Sequence, residues 1–282
     1  MRIDQHAHSD RSDGTDPPAE VMRHARQAGL DVVALTDHDT VAGHAAASSA
    51  LPDGLTLVPG AEISCVTAEG VSVHLLGYLF DPAHDELRGE LDRVRTDRDR
   101  RARDMVARLR ELGADVTYER VAEISGGGAI GRPHVARAMV EAGVVADVPS
   151  AFTSEWIAND GRAYVEKYAL DPVRAVRLVN DAGGVAVFAH PGAVKRGRVV
   201  GRETVEAMAG AGLFALEVDH PDHDAATREA LRETARSLGL RTTGSSDDHG
   251  SLTGRRLGCE TTSPDVFEAL VESATGTSPL LG

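Results

Sequence analysis

Histidine and carboxylate side chains gather where the β-like runs of this 282-residue chain end. The first group is Asp4-Gln5-His6-Ala7-His8-Ser9-Asp10-Arg11-Ser12-Asp13-Gly14. On an extended segment, side chains two apart point the same way, so His6 and His8 share a face. Neutral imidazoles converging with a carboxylate suit a divalent transition metal better than they suit a core. The pattern then recurs. Thr36-Asp37-His38-Asp39 closes a second run, Gly60-Ala61-Glu62 lies in a third, and His74 sits inside a fourth. Ala189-His190-Pro191, Glu217-Val218-Asp219-His220 and Ser245-Ser246-Asp247-Asp248-His249-Gly250 follow later.

Each residue also has a bland reading, since a lone strand histidine is more often a hydrogen-bonded core residue than a ligand. That reading holds for His220, and His24, His44, His84 and His223 read as surface or helix residues. It weakens for His6, His8, His38, His190 and His249, each beside Asp, Gly or Pro at a strand exit. His74 lies in an apolar strand, where an unpaired imidazole is costly, so it needs a partner that a metal would supply. Arginine is sparse on the strands near Glu62, which favours a metal over a salt bridge there as well.

These residues need a frame that brings distant segments to one face. A helix over 17–28 ending at Gly29 leads into a strand over 31–36, with Pro at the helix start and Gly past its end. A helix over 41–50 and strands over 55–63 and 71–79, joined by a Glu69-Gly70 turn, complete the first part. From Pro172 the alternation returns: helices over 172–181, 202–211 and 225–238 precede strands over 184–189, 213–218 and 240–244. Strands alternating with helices of this length imply a largely parallel sheet or barrel, whose catalytic residues collect at the carboxyl ends of the strands. Between residues 81 and 170 the pattern is helical. A long arginine-rich helix over 87–112 carries Leu87, Leu91, Val94, Met105, Leu109 and Leu112 on or near one face, and its mixed charges read as a solvated surface. Gly126-Gly127-Gly128 reads as a flexible joint before Arg132-Pro133-His134 opens another helix. The expected organisation is therefore a barrel domain, residues 1–80 and 171–282, with an inserted helical cap, residues 81–170.

Composition narrows the partners. A net charge of −14 argues against sequence-blind binding to long nucleic acid, which needs a basic surface. It leaves room for a small anionic substrate, because divalent cations reverse the field of a carboxylate-rich pocket. No apolar run is long enough for a membrane span. The N-terminus opens without an apolar signal segment, and Cys65 and Cys259 make no disulfide framework, so a reducing cytoplasm is expected. No obligate protein partner is evident.

The motifs together resemble the PHP (polymerase and histidinol phosphatase) superfamily, in particular stand-alone members similar to nucleoside 3',5'-bisphosphate phosphatases and the 5'-to-3' ribonuclease group. The resemblance rests on Asp4-x-His6-x-His8-Ser9, Ser12-Asp13-Gly14, Thr36-Asp37-His38-Asp39, Gly60-Ala61-Glu62, His74, Arg132-Pro133-His134, Ala189-His190-Pro191 and Ser246-Asp247-x-His249. Gln5, usually apolar in the family, and Asp248, often aromatic, are small departures. The resemblance implies a distorted seven-stranded (β/α) barrel and three overlapping ligand sets. His6, His8, Glu62 and Asp247 would hold one metal, and Asp13, His38 and His249 a second. Glu62 would bridge to a third, completed by His74 and His190. Two or three divalent ions are expected, Mn²⁺ first and Fe or Zn as alternatives, with Asp13 favouring the harder ion.

Such a cluster would activate water and clamp the oxygens that gain charge as a phosphate ester is attacked. Arg132 and His134 would reach in from the insertion to grip phosphate, and Lys195 and Arg196 form a basic loop where a second phosphate could dock. His220, His134 and Asp248 are candidates for the general acid, and Asp37 and Asp39 would orient their neighbours. The expected activity is hydrolysis of a phosphate monoester of a small nucleotide, foremost the 3'-phosphate of a nucleoside 3',5'-bisphosphate. The alternatives are a 5'-to-3' exoribonuclease on short RNA, histidinol-phosphate phosphatase, or a non-catalytic metal-stabilised scaffold.

Overall fold

The computed structural model describes every residue except Ala129. Seven strands follow one another in chain order around a nearly closed barrel: β1 (Ile3–Asp4), β2 (Val32–Leu35), β3 (Thr56–Val66), β4 (Ser72–Tyr78), β5 (Val185–Phe188), β6 (Ala215–Asp219) and β7 (Arg241–Gly244). A short β8 (Leu280–Leu281) pairs with the start of β3. Helices α1 (Pro18–Gln27) and α2 (His44–Ser49) flank the first strands, and α3 (Asp85–Glu111), α4 (Tyr118–Ile124), α5 (Arg132–Glu141) and α6 (Val148–Ala151) form the insertion. Helices α7 (Pro172–Asp181), α8 (Arg202–Gly210), α9 (Ala225–Leu238) and α10 (Pro264–Ser273) alternate with the later strands.

Local chemistry explains the punctuation. Asp171 and Asp224 accept from the backbone N–H of Arg174 and Thr227, capping α7 and α9. On α1 the buried positions Pro18, Val21, Met22 and Ala25 recur at three- and four-residue spacing, which turns one stripe onto the sheet. The barrel is filled by Ile3, Val32, Ala34, Val58, Leu76, Tyr78, Val185, Val187 and Ala215, with Phe267 and Leu270 of α10 packed against them. Burying each of the larger aliphatic side chains contributes about 1.5–3 kcal/mol. Tyr78 is tolerated there because its hydroxyl donates to Gln5 O at 2.7 Å.

One expectation needs correction. Pairing is parallel through β1–β2–β3 and through β5–β6–β7, but β4 runs antiparallel to both neighbours. A connection as short as Thr67–Val71 can join only antiparallel strands. His74 therefore reaches the common face from the start of its strand, opposite Ser64, and not from a carboxyl end. The helix after β2 is also shorter than its pattern, and α10 and β8 had no counterpart in the sequence reading.

The barrel closes through loops: His8 N donates to Asp248 O at 2.8 Å, and buried Asp4 accepts from Ser246 N at 3.0 Å and Gly258 N at 2.7 Å. The insertion has its own core of Met105, Leu109, Val121, Val135, Met139, Ile157 and Val165, whereas Leu87 and Leu91 at the start of α3 join the barrel's outer layer. The triple-glycine segment is pressed against the loop after β1. A Cβ on Gly128 would lie 2.5 Å from Asp10 O, so only glycine allows the approach. No helix among the described residues is long and apolar enough to cross a membrane.

Candidate metal centre

The strand ends converge as a single buried cluster. His6 Nε2, His8 Nε2, Glu62 Oε2 and Asp247 Oδ1 stand 3.1–3.3 Å apart in each of five pairings. Neighbouring ligands of a four-coordinate ion with bonds of about 2.0–2.1 Å are separated by about 3.3 Å. A second group forms around Asp13, whose carboxylate lies 3.6 Å from His38 Nε2 and 3.3 Å from His249 Nε2. His8 also comes within reach of this group. The far oxygen of Glu62 meets His74 Nδ1 at 2.7 Å and His190 Nε2 at 3.0 Å. His38 stands between the groups, with Nδ1 3.1 Å from Glu62 Oε2. All nine ligand candidates thus meet in one place.

Two observations test whether metals fit. Asp13 Oδ1, His38 Nδ1, Glu62 Oε2, His74 Nδ1 and Asp247 Oδ1 are buried yet make no hydrogen bond, although other donors and acceptors crowd them. Buried polar atoms are rarely left unpaired, so lone pairs aimed at a shared centre call for a cation. The charge balance agrees. Burial alone would raise the three carboxyls, but His38, His74 and His6 hold Glu62 well below the usual carboxylate range. His38 and His249 do the same for Asp13, and Arg196, His6 and His249 for Asp247. Burial is likewise outweighed at His8, where Asp247 and Glu62 push the pKa up to about 10. Burial brings His38 down to about 3 and, with Arg196 beside it, His190 to about 4, leaving neutral lone-pair donors. The residues fit divalent metal ions.

Around the cluster, neighbours fix the ligands. Asp37 accepts from Ser9 N, Ser9 Oγ and Ser12 Oγ, which holds the turn that carries Asp13. His220 is fully buried, with Nε2 3.4 Å from Asp247 Oδ2 and Nδ1 accepting from Asp222 N, so it braces the Asp247 carboxylate. Asp248 is occupied by Gly250 N, Arg256 N and Thr253 Oγ1. His223 is a correction to the surface reading: it is buried, and its Nε2 accepts from Gly192 N at 3.1 Å just after His190-Pro191. Arg196 donates to Asp247 Oδ2 and, at 2.9 Å, to Asp222 Oδ2, whereas its neighbour Lys195 lies exposed.

The insertion closes over the Asp13 side. A Cβ on Gly131, just before α5, would lie 3.8 Å from Asp13 Oδ2 and 3.7 Å from Arg98 Nη1. His134 Nδ1 accepts from Gly131 N at 3.0 Å, which places the ring proton on Nε2, and burial lowers its pKa. Arg132 Nη1 donates within the insertion to Ile157 O and Asn159 Oδ1, 3.1 and 2.8 Å away.

Arg98 was missed in the sequence. Its Nε donates to Asp39 Oδ2 at 2.7 Å and its Nη2 to Ser64 Oγ at 2.7 Å, beside His38. The signal was present: Leu87, Leu91, Val94, Met105 and Leu109 form a stripe whose middle steps are Arg98 and Arg101. Neighbouring arginines pair along the helix, as Arg95 does with Asp92 and Arg103 with Asp99, but Arg98 has no acidic residue three or four positions away. An arginine in an apolar stripe without a helical partner must find one elsewhere.

A nearly closed barrel carrying such a ligand cluster defines a metal-dependent phosphoesterase. Comparison with known proteins agrees, as residues 4–76 match the PHP domain. The chain is 32% identical to the 3',5'-nucleoside bisphosphate phosphatase of Chromobacterium violaceum over 90% of this chain and 89% of that one. It is 33% identical to the 5'-3' exoribonuclease of Haemophilus influenzae over 67% and 69% of the two chains. A solved structure from Bifidobacterium adolescentis, provisionally described as a metal-dependent phosphoesterase, superposes with a TM-score of 0.89 at 35% identity, covering 97% of this chain and 96% of that one. The chain belongs to the PHP family and is a metal-dependent hydrolase of phosphate esters.

Proposed function

We propose that this phosphoesterase removes the 3'-phosphate of a nucleoside 3',5'-bisphosphate. The observation that carries the reading is a group of cations on the inner side of the insertion. Arg98, Arg101, Arg132 and Lys167 lie close enough to repel one another. Burial and then Arg132 lower Arg101; burial lowers Arg132, with Arg98 adding to it; burial and then Arg98 bring Lys167 to about 7. Only Arg98 has a carboxylate partner; Arg101 and Lys167 bond to Val165 O and Ser72 Oγ, and Arg132 to a carbonyl and an amide. In a protein of net charge −14, unbalanced cations beside a metal cluster fit a second anionic group on the substrate.

In this reading the ligand sets are His6, His8, Glu62 and Asp247; Asp13, His38 and His249; and Glu62, His74 and His190. Divalent ions held there, Mn²⁺ foremost, supply activated water and Lewis acidity at the scissile phosphate. The protein's own groups do the rest. Glu62 keeps the ligand sets adjacent, and Arg196 holds the outer oxygen of Asp247. His134 presents its Nε2 proton toward the substrate, and Arg98, Arg132 and Lys167 orient the phosphate that is retained. The insertion, residues 81–170, acts as the cap that selects the substrate, a small phosphorylated nucleotide or short oligonucleotide. We infer a cytoplasmic setting from the lack of a disulfide framework.

The relative named as an exoribonuclease supports a second reading, in which the cap anchors the 5' end of short RNA. Phosphate release by the metal-loaded protein distinguishes them. The panel is a 3',5'-bisphosphonucleoside, a 5'-mononucleotide, histidinol phosphate and a short 5'-phosphorylated RNA, with a chelated control. The proposal requires phosphate from the bisphosphate. Mononucleotides released from the RNA in its place would favour the second reading, and no turnover of any ester with Mn²⁺, Fe²⁺ or Zn²⁺ would contradict both. Full activity in His6→Ala or Asp247→Asn would refute the ligand assignment.

A further inference from the structure

Glu217, near the end of β6, is fully buried beneath the metal ligands and is not one of them. Its two oxygens serve different ligand residues. Oε1 stands 2.9 Å from His6 Nδ1, and Oε2 accepts from the backbone N–H of His190 at 2.7 Å. Ser245 Oγ also donates to Oε1. A carboxylate that holds the Nδ1 proton of an imidazole leaves a lone pair at Nε2, and His6 Nε2 is the atom that faces His8, Glu62 and Asp247.

His190 needs the second contact for another reason. Its φ is +29°, a sparsely populated value for a residue other than glycine, and such a conformation persists only where its surroundings over-determine it. The parallel register Phe188↔Leu216 sets the end of β5 beside that of β6, which brings Glu217 under the His190 amide.

We propose that Glu217 is a positioning residue that ties two of the metal positions together, one through the His6 ring and one through the His190 backbone. The inference rests on the ligand assignment above. Loss of Glu217 then weakens both positions, although it touches neither ion.

The test is Glu217→Gln in the full chain, compared with His6→Ala. Glutamine has one acceptor oxygen and an NH₂ group, so it cannot accept from both the His6 ring and the His190 amide. Metal content is measured by elemental analysis and Mn²⁺ affinity by calorimetry. Glu217→Gln is expected to lose about 10–100-fold in affinity at two positions, whereas His6→Ala affects one. Wild-type stoichiometry and affinity in Glu217→Gln would overturn the proposal. If the variant does not fold, nitrogen-15 NMR of the zinc-loaded wild type decides: a proton on His6 Nδ1 supports the proposal, and a bare Nδ1 overturns it. Wild-type protein that takes up no metal would instead strike at the ligand assignment.

Discussion

Arg98 of the insertion and Asp39 of the barrel form an ion pair across the boundary between the two, with Nε 2.7 Å from Oδ2 and the carboxylate fully buried. Asp39 also accepts from Ser64 N and Ser64 Oγ, and it follows His38 directly. One contact thus links α3 to the strand that carries Glu62.

Removing the cation leaves a buried carboxylate uncompensated. Arg98→Met should lose about 3 kcal/mol of stability in urea unfolding, and Arg98→Lys less. If Arg98 were an ordinary surface residue, the loss would stay within about 0.5 kcal/mol.

Metal binding should release protons. Without a cation, Asp247 and Glu62 outweigh burial and raise His8 to about 10, so that imidazole carries a proton at pH 7 which a metal must displace. A folded pKa above the unfolded value means this charge supports the metal-free fold below about pH 6.5, and the support is lost as pH rises through 10. Apparent metal affinity should therefore increase with pH. Calorimetry in buffers of different ionisation enthalpy measures the released protons. Saturation to about 100 times Kd should add about 2.7 kcal/mol of stability.

Lys167 gives substrate binding its own pH dependence. Burial first, and then Arg98, bring it to about 7, so it loses its charge as pH rises through neutrality, and a bound phosphate draws the proton back. KM for a bisphosphonucleoside should rise above pH 7, and Lys167→Met should remove that step from the KM profile. The same shift acts oppositely on the fold, whose stability should gain between pH 7 and 10.5 because the unfolded chain binds the extra proton there.

Gly128→Val tests the docking of the insertion. Its Cβ would meet Asp10 O at 2.5 Å, so the joint must move away from the loop that carries Asp13. A rise in KM of about tenfold with a smaller change in kcat is expected in steady-state kinetics, alongside an overpacking cost of about 1–3 kcal/mol.

The converging histidines and carboxylates were legible in the sequence because metal chemistry restricts residue type and short strands expose their last residues. His6 and His8 betray themselves by a two-residue spacing, and Asp247 and His249 by their place just past a strand that ends at Gly244. Arg98 was half legible, as an interruption in a helical stripe. Glu217 was visible as a strand-end acid, but its role depends on His6, 211 residues away, and on which strands adjoin. Lys167 depends on how the insertion folds back. The direction of β4 was readable from the Glu69-Gly70 turn, yet helix–strand alternation masked it.

In the proposed function the metal cluster holds one phosphate while the cap cations hold another. The most direct measurement compares kcat/KM for a nucleoside 3',5'-bisphosphate with that for the matching 3'-mononucleotide, which lacks only the second phosphate. A preference for the bisphosphate of at least about 100-fold is expected, the value of two or three charge-assisted contacts, with release of the 5'-mononucleotide. Equal kcat/KM for the two substrates would contradict it.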